Sequence, residues 1–106
     1  MGIAKEMILG GGQINAQRAY EIGLVNKIFP PESLLEETKK FALKLAKLPP
    51  FAMKMAKNAM NYGFDLPLYN ANKLEIGCIA QCFSTQDQKE GMKAFLEKRK
   101  PTFTGK

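Results

Sequence analysis

Apolar residues recur at helical spacing along most of the chain, and the places where that rhythm breaks mark out its elements. Ile3-Ala-Lys-Glu-Met-Ile-Leu9 has helix-forming composition and stops at Gly10-Gly-Gly12, where three residues without side chains make further helix unfavourable. Asn15 is placed to cap a following helix over Ala16 to Ile22, and Gly23 suits the left-handed position that would end it. Leu24-Val-Asn-Lys-Ile-Phe29 is a short run with β-formers, halted by Pro30-Pro31, and predicts one short strand. Pro31 then opens a helix with Glu32 at its positive end. Its stripe is Leu34, Leu35, Phe41, Ala42, Leu45 and Leu48, and Lys39, Lys40, Lys44 and Lys47 lie largely outside that stripe. Pro49-Pro50 breaks it, and the next helix, Phe51 to Tyr62, is expected to bury Ala52, Met55, Ala56, Ala59 and Met60 before Gly63.

The stretch from Leu66 to Phe83 departs from this one-sided pattern. After Lys73 its apolar residues, Leu74, Ile76, Cys78, Ile79, Ala80, Cys82 and Phe83, occupy more than one side, so the helix wants cover all round. That cover comes either from another subunit or from complete burial in a small bundle. The closing helix carries Met92, Phe95 and Leu96 at i, i+3, i+4, with Ser84 as its expected cap, Asp87 complementing its amino end and Pro101 ending it. The predicted fold class is mainly α, with five to six helices and one short strand.

A length of 106 residues leaves room for one small domain. No apolar run approaches the roughly 20 residues that span a bilayer, and the first residues lack a secretory-signal profile, which predicts a cytoplasmic protein without membrane contact. The formal charge of +6 favours anionic partners without choosing among them. A nucleic acid is disfavoured because no helix-turn-helix, zinc finger or aromatic-rich RNA-binding strand accompanies the charge. Histidine is absent, which removes Ser-His-Asp and Cys-His catalysis together with His-containing zinc sites. Cys78 and Cys82, four apart on a predicted helix, cannot close a tetrahedral metal site alone and read as small buried apolar residues. No metal site is expected. The aromatic and ammonium on one side of the closing helix can still offer a ring to a flat base and a positive charge to a phosphate.

Two segments, in this order, resemble the crotonase (enoyl-CoA hydratase) family. Ile14-Asn-Ala-Gln-Arg-Ala-Tyr-Glu-Ile-Gly-Leu-Val-Asn-Lys-Ile-Phe29 is similar to the stretch where a helix with an A-x-x-A-x-x-x-G-L-V pattern enters the family's last short strand. Phe83-Ser-Thr-x-Asp-x-Lys-Glu-Gly-Met-x-Ala-Phe-x-Glu-Lys-Arg-Lys-Pro101 is similar to the family's carboxyl end, and within the family the match resembles the bacterial short-chain enoyl-CoA hydratases.

The resemblance implies a division into residues 1–30, the end of the spiral core (helix, loop, helix, short strand), and residues 31–106, a carboxyl-terminal helical region used for trimerisation. It implies a parent lyase that adds water to a trans-2-enoyl-CoA to give a 3-hydroxyacyl-CoA, as in fatty-acid β-oxidation. A crotonase-type isomerase or hydrolase parent and a non-catalytic association module are the alternatives. Two backbone N–H groups and paired glutamates do that chemistry in the family, and both would lie upstream of Met1. No catalytic residue is therefore assigned, and the chain alone is expected to be inactive. By the same resemblance Phe95 lines the acyl-CoA pocket and Lys98 approaches the phosphates of the nucleotide. The implied partners are an acyl-CoA substrate and copies of the same chain, as a trimer or dimer of trimers, with no covalently bound cofactor. Some relatives carry an aromatic acyl-pocket residue where this chain has Ile79.

Overall fold

The computed structural model describes residues 2–106. Six helices follow one another: α1 (Gly2–Gly10), α2 (Ala16–Glu21), α3 (Pro31–Ala46), α4 (Pro50–Gly63), α5 (Leu68–Cys82) and α6 (Gln86–Leu96). The chain divides into two compact units, Met1–Phe41 and Ala42–Lys106.

In the first unit the Asn15 side chain caps α2 by accepting the Arg18 N–H at 2.7 Å. Gly23, at φ 73°, ends the helix. Its N–H reaches the Tyr20 carbonyl at 3.0 Å and the Leu24 N–H reaches the Ala19 carbonyl at 2.8 Å, the paired bonds of a Schellman motif. These bonds explain why the predicted strand does not form. The N–H groups of Leu24 and Val25 both turn back to the Ala19 carbonyl, so they are lost to any ladder. Residues 24–30 are bend and irregular backbone, and no strand occurs among the described residues to pair with them. At α3 the carbonyl of Pro30 accepts from the N–H groups of Ser33 and Leu34. Lys40 lies 2.8 Å from both Glu36 and Glu37, which raise its pKa in that order, and the Lys27 ammonium sits 5.3 Å from the Phe41 ring centre.

The second unit is built on the α4–α5 hairpin, the one extensive helix–helix contact among the described residues. Ala52, Met55, Ala59 and Gly63 on α4 face inward, as do Ala71, Leu74, Cys78 and Cys82 on α5, each set at spacings of three, four and four. Met55 and Cys78 are buried; Cys82 is half-buried, its thiol donating to the Cys78 carbonyl at 3.4 Å. The all-round cover expected for α5 is not supplied by the described residues of the second unit. Ile76 is 65% exposed, and Ile79 and Phe83 lie open beside it. Ala56 and Met60 on α4, expected inside, are exposed as well, as is the apolar stripe of α3.

Thr85, and not Ser84, caps α6. Its hydroxyl oxygen accepts the Gln88 N–H at 3.1 Å while its proton goes to the Cys82 carbonyl at 2.8 Å; the Ser84 hydroxyl donates to the Gln81 carbonyl at 2.8 Å. The helix also stops at Leu96, before Pro101 is reached. Pro101 instead begins a strap that runs back along α6. The Glu90 carboxylate accepts the Thr102 N–H at 2.9 Å, and Asp87, 2% exposed, accepts the N–H groups of Thr104 and Gly105 at 2.7 and 2.8 Å. In return the Asp87 N–H donates to the main-chain oxygen of Lys106 at 3.0 Å. Gly105 has φ 80°, and a Cβ there would stand 3.2 Å from Pro50 Cγ, so both conformation and space call for glycine.

Because Asp87 satisfies two strap N–H groups at once, Asp87→Ala should destabilise the chain by about 1–3 kcal/mol and deprotect the amides of Thr104 and Gly105, as read by urea denaturation and hydrogen exchange. Glu90 gives the strap a pH limit. The Arg99 guanidinium, then the Thr102 N–H, hold its carboxyl down from 4.5 to about 2, with a smaller contribution from Lys93. A depressed carboxylate stabilises the folded form above its unfolded pKa and loses that effect as pH falls. Protection of the Thr102 amide should therefore persist at pH 4.5 and decay towards pH 2, and Glu90→Gln should remove this dependence in an NMR exchange titration.

Candidate functional site

The end of α6 carries the ring singled out in the sequence, and the turn that follows carries the ammonium. Met92, Phe95 and Leu96 make the expected apolar face and stand out into solvent, Phe95 at 79% exposed and Leu96 at 77%. Beyond them the helix closes with a second Schellman motif. The Lys98 N–H donates to the Phe95 carbonyl at 3.2 Å and the Arg99 N–H to the Ala94 carbonyl at 3.0 Å. Lys98 occupies the left-handed position with φ 54°, the sole non-glycine residue with positive φ among those described. This conformation costs a non-glycine residue on the order of 1 kcal/mol or more. Lys98 therefore projects from a turn past the helix end, and the helical i, i+3 face that carries Phe95 does not extend to it.

Arg99 is locked on both sides. Its two terminal nitrogens meet the two Glu90 oxygens at 2.6 and 2.8 Å, and its Nε meets Glu97 at 2.7 Å. The fork is bidentate, the strongest geometry open to such a pair. Glu90 and then Glu97 raise the Arg99 pKa further above its ordinary value. Lys93 lies 3.9 Å from Glu97. Lys98 has no ion pair among the described residues, so its charge is open to an outside anion.

The second unit carries several clefts, one of them, of about 500 Å³, between the strap and Ala46–Pro50. A polar one of about 370 Å³, along α6 and the strap, includes Lys89, Glu90, Lys93 and Thr102. An apolar one of about 320 Å³ on the hairpin includes Met55, Met60, Cys78 and Ile79, with Glu75 as its charged member. Among the described residues the three groups with perturbed pKa values, Lys40, Glu90 and Arg99, are all held more firmly in their charged forms. A general acid or base needs a value near the working pH, so the Glu90 carboxylate is suited to holding structure and not to moving protons. Glu21, Glu36, Glu37 and Glu97 are likewise engaged in ion pairs. The arrangement presents a ring and an unpaired ammonium, which is a binding chemistry.

The Glu90–Arg99 fork and the Asp87 clamp were not foreseen from sequence. Asp87 and Glu90, three apart on one helix face and followed by Thr102 and Thr104 after Pro101, are the signal that could have shown them.

Comparison with known proteins places this geometry. The sequence profile of the enoyl-CoA hydratase/isomerase family matches residues 1–106. A crotonyl-CoA hydratase from Syntrophomonas wolfei is 45% identical over 105 residues, which cover 99% of this chain and 40% of that protein. Among solved structures, an enoyl-CoA hydratase subunit from Geobacillus kaustophilus superposes with a TM-score of 0.95 at 42% identity, over 100% of this chain and 41% of the other. An enoyl-CoA hydratase from Bacillus anthracis does so with a TM-score of 0.95 at 37% identity, again over 100% and 41%. The chain thus spans about two-fifths of the length of the relatives it matches. With a helical architecture shared over its full length and a family profile that covers every residue, the chain belongs to the enoyl-CoA hydratase/isomerase family.

Proposed function

We propose that this chain is the carboxyl-terminal part of a cytoplasmic enoyl-CoA hydratase that adds water to a trans-2-enoyl-CoA in fatty-acid breakdown. In this reading residues 1–30 end the spiral core, and residues 31–106 form the helical association region. Phe95 and Lys98 supply one wall of the acyl-CoA site, the ring against the ligand and the ammonium towards its phosphates. The exposed apolar residues of α3 and α5 meet other copies of the chain in a trimer or dimer of trimers. The observation that carries the reading is the open Phe95 ring followed by the unpaired Lys98 ammonium at the end of α6, in a chain of this family.

The hydration itself needs donors aimed at the thioester oxygen and carboxylates able to exchange a proton with water. The acids of α6 are committed to Arg99 and the strap, and the reacting groups are assigned to the part of the parent that this chain, at about two-fifths of its relatives' length, does not cover. An isomerase is the alternative parent, since the matching family joins both activities, and a hydrolase of the same fold is another. The product separates them: hydration adds the mass of water to the intact thioester, isomerisation leaves the mass unchanged, and hydrolysis releases free CoA.

The chain by itself should leave the ultraviolet absorbance of crotonyl-CoA unchanged; turnover by the purified 106 residues would overturn the assignment of the reacting groups. It should still bind CoA. An aromatic ring against a flat base contributes about 1–3 kcal/mol, so Phe95→Ala is expected to weaken CoA binding by roughly tenfold in a calorimetric titration. An unchanged affinity would remove Phe95 from the site.

A further inference from the structure

We infer that Glu90 and Arg99 are positioning residues: their fork holds the turn after α6 in the left-handed form and so fixes the backbone from which Lys98 projects. The inference rests on the reading of Lys98 as the phosphate-facing residue of the CoA site.

The chain contains its own comparison. α2 and α6 end in the same pair of backbone bonds, yet the left-handed position holds Gly23 in one and Lys98 in the other, at φ 73° and 54°. Glycine adopts this conformation freely and lysine does not. Lys98 gains nothing visible in exchange, because its side chain is exposed and forms no ion pair among the described residues. A residue that disfavours its own backbone and serves no internal contact is better explained by something outside the chain.

The turn keeps its shape because its neighbours determine it. On the following residue, the Arg99 N–H is tied to the carbonyl of Ala94, which is 1% exposed, and the Arg99 guanidinium is tied to Glu90 and Glu97. Glu90 in turn holds Thr102 at the start of the strap. Lys98 therefore sits between the helix end and an anchored arginine. The same contacts occupy the Arg99 charge, leaving the Lys98 ammonium to meet a phosphate group.

Calorimetric titration of the full 106-residue chain with CoA, and with pantetheine, which lacks the nucleotide phosphates, tests this. Lys98→Ala should weaken CoA binding by about threefold to tenfold and leave pantetheine binding unchanged. Glu90→Gln should produce a similar loss for CoA alone, and should add nothing in the Lys98→Ala background, the signature of a residue acting through another. Arg99→Lys, which keeps the charge and loses the fork, repeats the test if Glu90→Gln does not fold. Lys98→Gly separates backbone from charge: the melting temperature should rise by roughly 2–6 °C while CoA affinity falls as in Lys98→Ala.

If Lys98→Ala weakens binding but Glu90→Gln and Arg99→Lys do not, the positioning role is overturned and the CoA wall stands. The positioning role is equally overturned if the Glu90→Gln loss persists in the Lys98→Ala background, or if Lys98→Gly lowers the melting temperature. If Lys98→Ala leaves CoA affinity unchanged, the CoA-wall reading itself falls, and this inference with it.

Discussion

The seam between α4 and α5 is the constraint from which the second unit follows. Apart from Leu74, the residues each helix contributes at spacings of three, four and four are small or flexible, so the backbones come close enough for the Gly63 and Ala71 positions to meet. That closeness limits how much side chain the seam can hold. Two of the four buried apolar residues, Met55 and Cys78, belong to it, and the large ones, such as Ile76, Phe83 and Met60, are turned elsewhere. A helix that is apolar on several sides but covered on one leaves a surface that water disfavours, and such surfaces are where protein partners attach.

Around α6 the fold is held by a different means. The buried apolar contribution is small, with Ala94 the one buried apolar residue of the helix, and order comes from carboxylates that each satisfy several donors. Asp87 and Glu90 lie one helical turn apart, and the strap presents its N–H groups at matching intervals. A carboxylate accepting backbone N–H bonds makes a stronger, more directional contact than the exposed i, i+3 and i, i+4 ion pairs on α3. The strap also seats Gly105 against Pro50, which links the far end of α6 to the start of α4.

Much of this was legible in the residues. Asn15, Gly23, Pro31 and Glu32 each did what their chemistry dictates, because caps and first-turn preferences depend on backbone groups a few residues away. The mainly helical class followed from spacing for the same reason. Leu24 to Phe29 misled: its β-forming side chains describe a segment that fits a sheet, but a strand exists only with a partner, and here the first two N–H groups are spent closing α2. Ser84 and Thr85 are both good caps and both hydroxyls donate to the preceding turn, so residue type alone does not choose between them; Thr85 is the one whose oxygen meets a first-turn N–H, that of Gln88. The Glu90–Arg99 fork joins residues nine apart across a helix end, a separation that no periodicity reports. Phe95 and Lys98 were reached through resemblance, and the left-handed backbone at Lys98 was visible in the structure alone.

The two cysteines acquire a use from their position. Cys78, buried, and Cys82, half-buried, both line the apolar cleft as free thiols, together with Met55 and Ile79. Any body that settles over this face must cover the path by which a reagent reaches the sulfur atoms. Thiol reactivity is governed by access as well as by charge, so the rate at which these two side chains are alkylated becomes a natural gauge of whether the face is occupied. The chain thus carries a built-in reporter of whether that face is covered.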